Sequence, residues 1–289
     1  MDSLPNFFLA GAPKAGTTSL YADLRQHPAV CMSEPKETWY FSDHRRYERG
    51  LDWYASQFFE QCEEHRAVGE ATPRYMAHPE SPRRIAESLE VEPQFLFLLR
   101  DPVERAFSHY HYDLQRGERD PSRSFSEVIR DPDEQSADPS QNHVGLVELG
   151  CYLQHLKRYE QYFGRDRLHP ILFADYVNRR EETLNHIYKV LGLSPAPIPD
   201  SENQNPTKYP INRSLFSGLK RAWARAERML GPTAEMLNPL QDAVRRNLLS
   251  ASQDRPSMNP ADRAFLRDFY ADTNASLTEY LGRDLSHWT

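Results

Sequence analysis

No run of apolar residues in this chain approaches the roughly 20 needed to cross a bilayer. The short Phe7-Phe8-Leu9-Ala10 run has no basic segment before it, which disfavours a secretory leader. Cysteine is scarce: Cys31, Cys62 and Cys151 are the only three in 289 residues. They are scattered, odd in number and lack C-x-x-C spacing, so they support neither a disulfide framework nor a zinc site. Reduced thiols in a cytoplasmic protein are the expectation. Positive charge is short as well, with a formal net charge of −7. That argues against a general nucleic-acid binder, whose footprint is basic. It leaves room for a local basic cleft, which a whole-chain sum does not register. Internal repeats and low-complexity tracts are also missing.

What is present suits one large α/β domain with an appendage. Short apolar runs alternate with helical patterns through the first part of the chain, which favours a parallel sheet covered by helices. Strands are predicted at Phe7-Phe8-Leu9, Val30-Cys31-Met32, Ala67-Val68-Gly69, residues 94–99 and residues 168–173. Gln94-Phe95-Leu96-Phe97-Leu98-Leu99 is apolar on both faces, as a central parallel strand should be. Helices are predicted beyond Gly50, over 82–89, after Arg100-Asp101-Pro102, through Leu149 to Phe163 and over 181–191, whereas 131–145 reads as a surface loop. Composition shifts at Ser194, where prolines at 195, 197, 199, 206 and 210 impose irregular structure. Helices follow over 215–230 and 234–249. The last helix has Asn259 as N-cap, Pro260 as first residue and Gly282 as its stop. Leu266, Phe269, Thr273, Leu277 and Leu281 are expected to face inward on it. The division is therefore an α/β core over 1–193, a Pro-rich segment over 194–214 and a helical extension over 215–289, all within one domain.

Two strand-to-helix junctions carry the chemistry. The first is Gly11-Ala12-Pro13-Lys14-Ala15-Gly16-Thr17-Thr18. A Gly-bounded loop opening a helix aims backbone N–H groups and the positive helix end at one point, which makes an anion seat. In a nucleoside-triphosphate loop the lysine directly follows the second glycine; here Thr17 takes that place and the cation has moved back to Lys14. The second junction holds Arg100 and, two turns into its helix, Ser108. Val103, Phe107, Tyr110 and Leu114 form the apolar stripe of that helix, leaving Ser108 on a neighbouring face. An arginine fork plus a hydroxyl receives a second phosphate well. Junctions of this kind lie at the carboxyl edge of a doubly wound sheet. The pair suits a nucleotide phosphorylated at both ends of its ribose. Taken singly, each piece has a plainer reading as a tight turn, a capped helix start or an ordinary helix serine.

Pro13-Lys14-Ala15-Gly16-Thr17-Thr18-Ser19-Leu20 resembles the 5′-phosphosulfate loop of the sulfotransferase family, and the stretch from Leu98 to Tyr110 resembles its 3′-phosphate motif. The subtype is similar to the heparan sulfate sulfotransferases and their shorter bacterial relatives. Glu34-Pro35-Lys36-Glu37-Thr38-Trp39-Tyr40-Phe41-Ser42, Gly69-Glu70-Ala71-Thr72-Pro73 and the ending from Leu281 to Trp288 add to the resemblance, which covers nearly the whole chain. It implies a P-loop-like parallel sheet and 3′-phosphoadenosine 5′-phosphosulfate (PAPS) as sulfuryl donor, with no metal required. Lys14, Ala15, Gly16, Thr17, Thr18 and Ser19 would hold the 5′-phosphosulfate, Arg100 and Ser108 the 3′-phosphate. A fixed ammonium beside the leaving phosphate stabilises the transition state more than the ground state. Lys208, in Asn205-Pro206-Thr207-Lys208-Tyr209, resembles part of a late loop that closes over the donor.

Glu37 matches the glutamate that takes the acceptor's proton in the heparan sulfate type. Its plainer reading is a surface or capping carboxylate. His109 and His111 are rival bases, since other sulfotransferases use histidine. The chain departs from the glycan-modifying relatives at Ala71, where they carry a lysine, and in lacking the cysteine pair that flanks the late loop in Golgi members. Trp39, Tyr40, Phe41, Trp53 and Tyr54 read mainly as core. Lys220, Arg221, Arg225 and Arg228 form a basic, solvated helical face. The expected acceptor is a hydroxyl of a carbohydrate or other small-molecule or lipid alcohol. A hydroxyacyl group on a carrier protein, an amine acceptor, and a P-loop kinase or NTPase remain as alternatives.

Overall fold

Five strands, β1 (Phe7–Gly11), β2 (Val30–Met32), β3 (Ala67–Glu70), β4 (Gln94–Leu99) and β7 (Leu168–Leu172), form one sheet in the order β2-β3-β1-β4-β7. All four pairings are parallel. The structure is a computed structural model and describes residues 4–62, 65–138, 143–197 and 256–288. Among the described residues up to 190, nine helices accompany the strands: α1 (Thr17–Leu24), α2 (His44–Tyr47), α3 (Leu51–Phe58), α4 (Ser81–Ser88), α5 (Pro102–Arg116), α6 (Phe125–Ile129), α7 (Tyr152–Phe163), α8 (Phe173–Asn178) and α9 (Arg180–Val190). A further helix, α10, runs from Pro260 to Leu281.

The central strands form because their residues find apolar partners on both faces. Phe7, Phe8, Leu9 and Phe95 to Leu99 are fully buried. Phe8 pairs in register with Phe95, and their rings stack at 5.5 Å. The strand order fixes where a ligand can sit. The chain leaving β1 turns towards β2, and the chain leaving β4 turns away towards β7. Between the carboxyl ends of β1 and β4 the direction reverses, which opens a crevice.

Among the described residues the expected strands, helices and α10 caps are found, with three corrections. First, the 131–145 stretch is more than a loop. It contains a 3-10 turn (Pro132–Gln135) and the antiparallel pair β5 (Ala137–Asp138) and β6 (His143–Val144). Glu134 orders it, accepting from Arg119 at 2.5 Å and from the Leu146 amide at 2.8 Å. Second, the buried stripe of α10 is Leu266, Tyr270, Asn274 and Leu277, with Phe269, Thr273 and Leu281 only half-buried. Tyr270 goes inward because its hydroxyl donates to the Val147 carbonyl at 2.7 Å. The predicted helices over 215–230 and 234–249, the Lys220–Arg228 face, and Lys208 lie outside the described residues.

The third correction concerns cysteine. Cys31 and Cys62 form a disulfide, their Cα atoms 5.5 Å apart, and only Cys151 is free. The 3-10 turn after α3 brings Cys62 back beside β2, a proximity that spacing alone cannot reveal. The pairing withdraws the thiol argument for a cytoplasmic setting. Among the described residues no helix is long and apolar enough to cross a membrane. Because the bond closes a loop with a sequence separation of 31, it should contribute roughly 3–4 kcal/mol by constraining the unfolded chain. Urea unfolding with and without reductant should show the midpoint fall on reduction. An unchanged midpoint, together with three titratable thiols in the untreated protein, would refute the pairing.

Candidate functional site

The loop after β1 is shaped by two left-handed residues, Lys14 (φ 67°) and Gly16 (φ 91°). Glycine is required at 16 twice over, because a Cβ there would also lie 2.7 Å from the Phe173 ring. Gly16 is the N-cap of α1 and supplies no side-chain cap, and the first turn of α1 holds no acid. The opening amides of α1 thus have no partner within the helix and retain its positive end. Ala15 is fully buried and its amide donates to the Ala12 carbonyl at 3.2 Å. The Ala12 amide donates to the Leu98 carbonyl at 2.8 Å, tying the loop to β4.

At the end of β4, Asp101 caps α5 by accepting from the Val103 and Glu104 amides at 2.8 and 3.3 Å, and Pro102 takes the first helical position. Tyr152 donates to the Arg100 carbonyl at 2.7 Å and fixes the backbone there. The guanidinium then turns back across the crevice, donating from Nη1 to the Lys14 carbonyl at 3.1 Å. Lys14, Gly16, Thr17, Thr18, Ser19, Glu37, Arg100 and Ser108 all line a single cavity of about 690 Å³. Ala15 is fully buried and does not line it.

Glu37 arrives from the loop after β2. It too is left-handed (φ 67°), its amide donates to the Ala71 carbonyl at 3.1 Å, and its Oε1 meets Lys36 Nζ at 2.5 Å. The neighbouring Thr38 anchors this turn by donating to Glu70 Oε1 at 2.7 Å. Thr72 donates to the same oxygen at 2.5 Å, and Tyr54 donates to the other oxygen of Glu70. Burial pushes the Glu70 carboxyl above its ordinary range, and these hydroxyls pull against that shift. Of the aromatics noted in the sequence, Tyr40 and Phe41 of the loop and Tyr54 of α3 are core, whereas Trp39 reaches the cavity.

The histidines are placed less favourably. His109 Nδ1 lies 3.2 Å from Arg105 Nη1, and an arginine can only donate, so Nδ1 accepts. Nε2 then carries the proton, 3.4 Å from Asp113 Oδ1. Burial, reinforced by Arg105, Lys14, Arg119 and Arg74, holds this imidazole well below its usual range and neutral. His111 is buried against Phe107 and does not line the cavity.

Lys14 is also perturbed. Burial lowers it to about 8; Asp113 and Glu37 oppose that fall, while Arg100 and Lys36 add to it. Asp113 is raised to about 6, chiefly by burial, with Arg119 opposing.

Several lining residues escaped the sequence reading. Asp23 accepts from Arg180 at 2.9 and 2.7 Å and from the Tyr176 hydroxyl at 2.6 Å. Arg74 follows β3, and Tyr112, Asp113 and Arg116 continue the face of α5 that begins at Ser108 and His109. Helical spacing alone would have found that face.

Residues 4–272 match the sulfotransferase domain family. The chain is similar to the bifunctional heparan sulfate N-deacetylase/N-sulfotransferase 3 of Homo sapiens, with 29% identity over 305 residues, 99% of this chain and 31% of that protein. It is also similar to the membrane-associated sulfotransferase kil1 of Dictyostelium discoideum, with 40% identity over 134 residues, 44% of this chain and 28% of that protein. The chain thus spans less than a third of the length of either relative. Among solved structures, the sulfotransferase from Alicyclobacillus acidocaldarius has a TM-score of 0.69 at 27% identity, and 99% of both chains is covered. A family match over nearly the full sequence decides between the two P-loop-like readings: this chain belongs to the sulfotransferase family.

Proposed function

We propose that the protein transfers the sulfuryl group of PAPS to a hydroxyl of a glycan or other alcohol. Lys14 would sit at the leaving phosphate and Glu37 would act as general base. The observation that carries this reading is the Arg100–Lys14 hydrogen bond, which turns both anion seats into one cleft with Glu37 on its wall. The cradle fits such a donor, because Lys14, Arg100 and the open end of α1 supply positive charge around one cavity. Bound there, the donor supplies a sulfuryl group whose S–O bond to phosphate breaks as the acceptor oxygen bonds to sulfur.

Glu37 takes the acceptor's proton on its carboxylate, with Lys36 holding Oε1. Lys14 neutralises the charge that develops on the leaving phosphate. Arg100 and Ser108 fix the 3′ end, so that position is set before reaction. His109 is a poor base by comparison, because both of its nitrogens already face partners. An amine acceptor is the second reading, favoured by the similarity to a bifunctional N-deacetylase/N-sulfotransferase, of which this chain spans 31%. Glu37 would serve it by the same proton removal.

Lys14→Ala should lower kcat/KM about 10²–10³-fold and weaken binding of 3′-phosphoadenosine 5′-phosphate (PAP) in calorimetry. Glu37→Gln should lower kcat by about 10²–10⁴-fold with PAP affinity nearly intact. A near-normal rate for Glu37→Gln removes it as the base. Lys14 acts as an ammonium, so its contribution is complete at low pH and lost as pH rises through about 8. The alkaline limb of kcat/KM should fall there by about tenfold per pH unit, and a flat profile to higher pH would contradict the assignment.

A further inference from the structure

We propose that Tyr112 is a positioning residue for Lys14, its ring carrying the lysine ammonium on its face at the mouth of the 5′ seat. The inference rests on the donor reading above. Lys14 Nζ lies 3.6 Å from the Tyr112 ring centroid. Tyr112 stands one turn beyond Ser108 on α5 and lines the same cavity. One turn further, Arg116 Nη1 reaches the Tyr112 hydroxyl at 3.4 Å, and Glu118 fixes that arginine at 2.5 Å. The ring is therefore oriented by its own helix.

Among the described residues, no carboxylate comes within 4.0 Å of Lys14 Nζ. The charges that face it are Asp113 from α5, Glu37 and Lys36 from the loop after β2, and Arg100 from the end of β4. The neutral His109 and the guanidinium of Arg74 lie in the same region. Attraction by the two carboxylates is opposed by Arg100 and Lys36. The ring is thus the short-range partner that favours the charged form, as an aromatic face does for a desolvated cation. The choice of partner has a consequence for the reaction. A salt bridge would have to be broken when an anion arrives, whereas a π face attracts the ammonium without supplying an acceptor lone pair that competes with phosphate.

The test measures how Lys14 titrates, by its labelling with an amine-specific reagent and peptide mass spectrometry across roughly pH 6–10. Tyr112→Leu and Tyr112→Met keep apolar bulk but lose the π face; Tyr112→Phe keeps it. Wild type and Tyr112→Phe should titrate together near 8. The Leu and Met variants should titrate lower by about one unit, and the alkaline limb of kcat/KM should move with them. Leu and Met variants that titrate with the wild type, or a Phe variant that shifts as far as they do, would overturn the proposal. Protection of Lys14 by PAP in the wild type reads the donor seat separately. Full labelling in the presence of PAP would overturn the seat, whereas the Leu–Phe comparison decides the role of Tyr112 either way.

Discussion

The hydrogen bond from Arg100 Nη1 to the Lys14 carbonyl joins two loops that leave neighbouring strands. A charged donor makes such a bond worth about 1.5–3 kcal/mol, and its geometric effect exceeds its energy. It holds the left-handed Lys14 over the crevice and turns the guanidinium inward. The crevice exists because the chain reverses direction between β1 and β4. The Ala12 amide extends the contact between these strands beyond their ends by bonding to Leu98. Sheet topology brings the two cations to one edge, and one side-chain-to-backbone bond makes them a single site.

The carboxylate side is held by a separate device. Glu37 hangs from β3 through the Ala71 carbonyl, and Thr38 ties the same turn to Glu70. Glu70 is fully buried, and among the described residues no cation pairs with it. Three hydroxyl donors satisfy it instead, which keeps the network local and directional. A cation in that place would add positive charge behind Glu37. With hydroxyls there, Lys36 remains the close charged partner of Glu37. β3 is bonded directly to β1, so the two devices meet through one strand pairing, whose flanking residues are among the most buried in the protein.

Much of this was legible in the chain. The Gly-bounded loop, the doubly apolar strand 94–99, the Asp101-Pro102 helix start and the Asn259–Gly282 bounds of α10 each follow from local rules, and local rules suffice where an element is defined by its own sequence. What could not be read depends on approach through space. Cys31 and Cys62 meet because the 3-10 turn after α3 returns the chain to β2, and Asp23 of α1 meets Arg180 of α9 across a long stretch of sequence. The inward face of α10 departs in part from the expected one for a related reason, with Leu266 and Leu277 buried but Phe269 not. Hydrophobicity selects Phe269, but Tyr270 can be buried because Val147 offers its hydroxyl an acceptor. Glu70 left a fainter signal: a carboxylate closing an otherwise apolar strand is out of place unless hydroxyls nearby receive it, and Thr38, Thr72 and Tyr54 do.

Burial of Lys14 ties these arrangements to chemistry. Lowering its ordinary value of 10.5 to about 8 corresponds to roughly 3 kcal/mol of disfavour for the ammonium, before screening by solvent at the cleft mouth reduces it. That cost lies in the anion-free site, where desolvation is met by a ring face and by carboxylates beyond salt-bridge distance. An anion placed between Lys14, Arg100 and the start of α1 reverses the balance, because it supplies the negative charge the lysine lacks. The same desolvation that weakens the free ammonium strengthens its interaction with that anion. A site built in this way binds an anion most strongly where its charge is concentrated. In sulfuryl transfer that charge grows on the leaving phosphate as the bond to sulfur breaks, which is the position the proposed mechanism gives to Lys14.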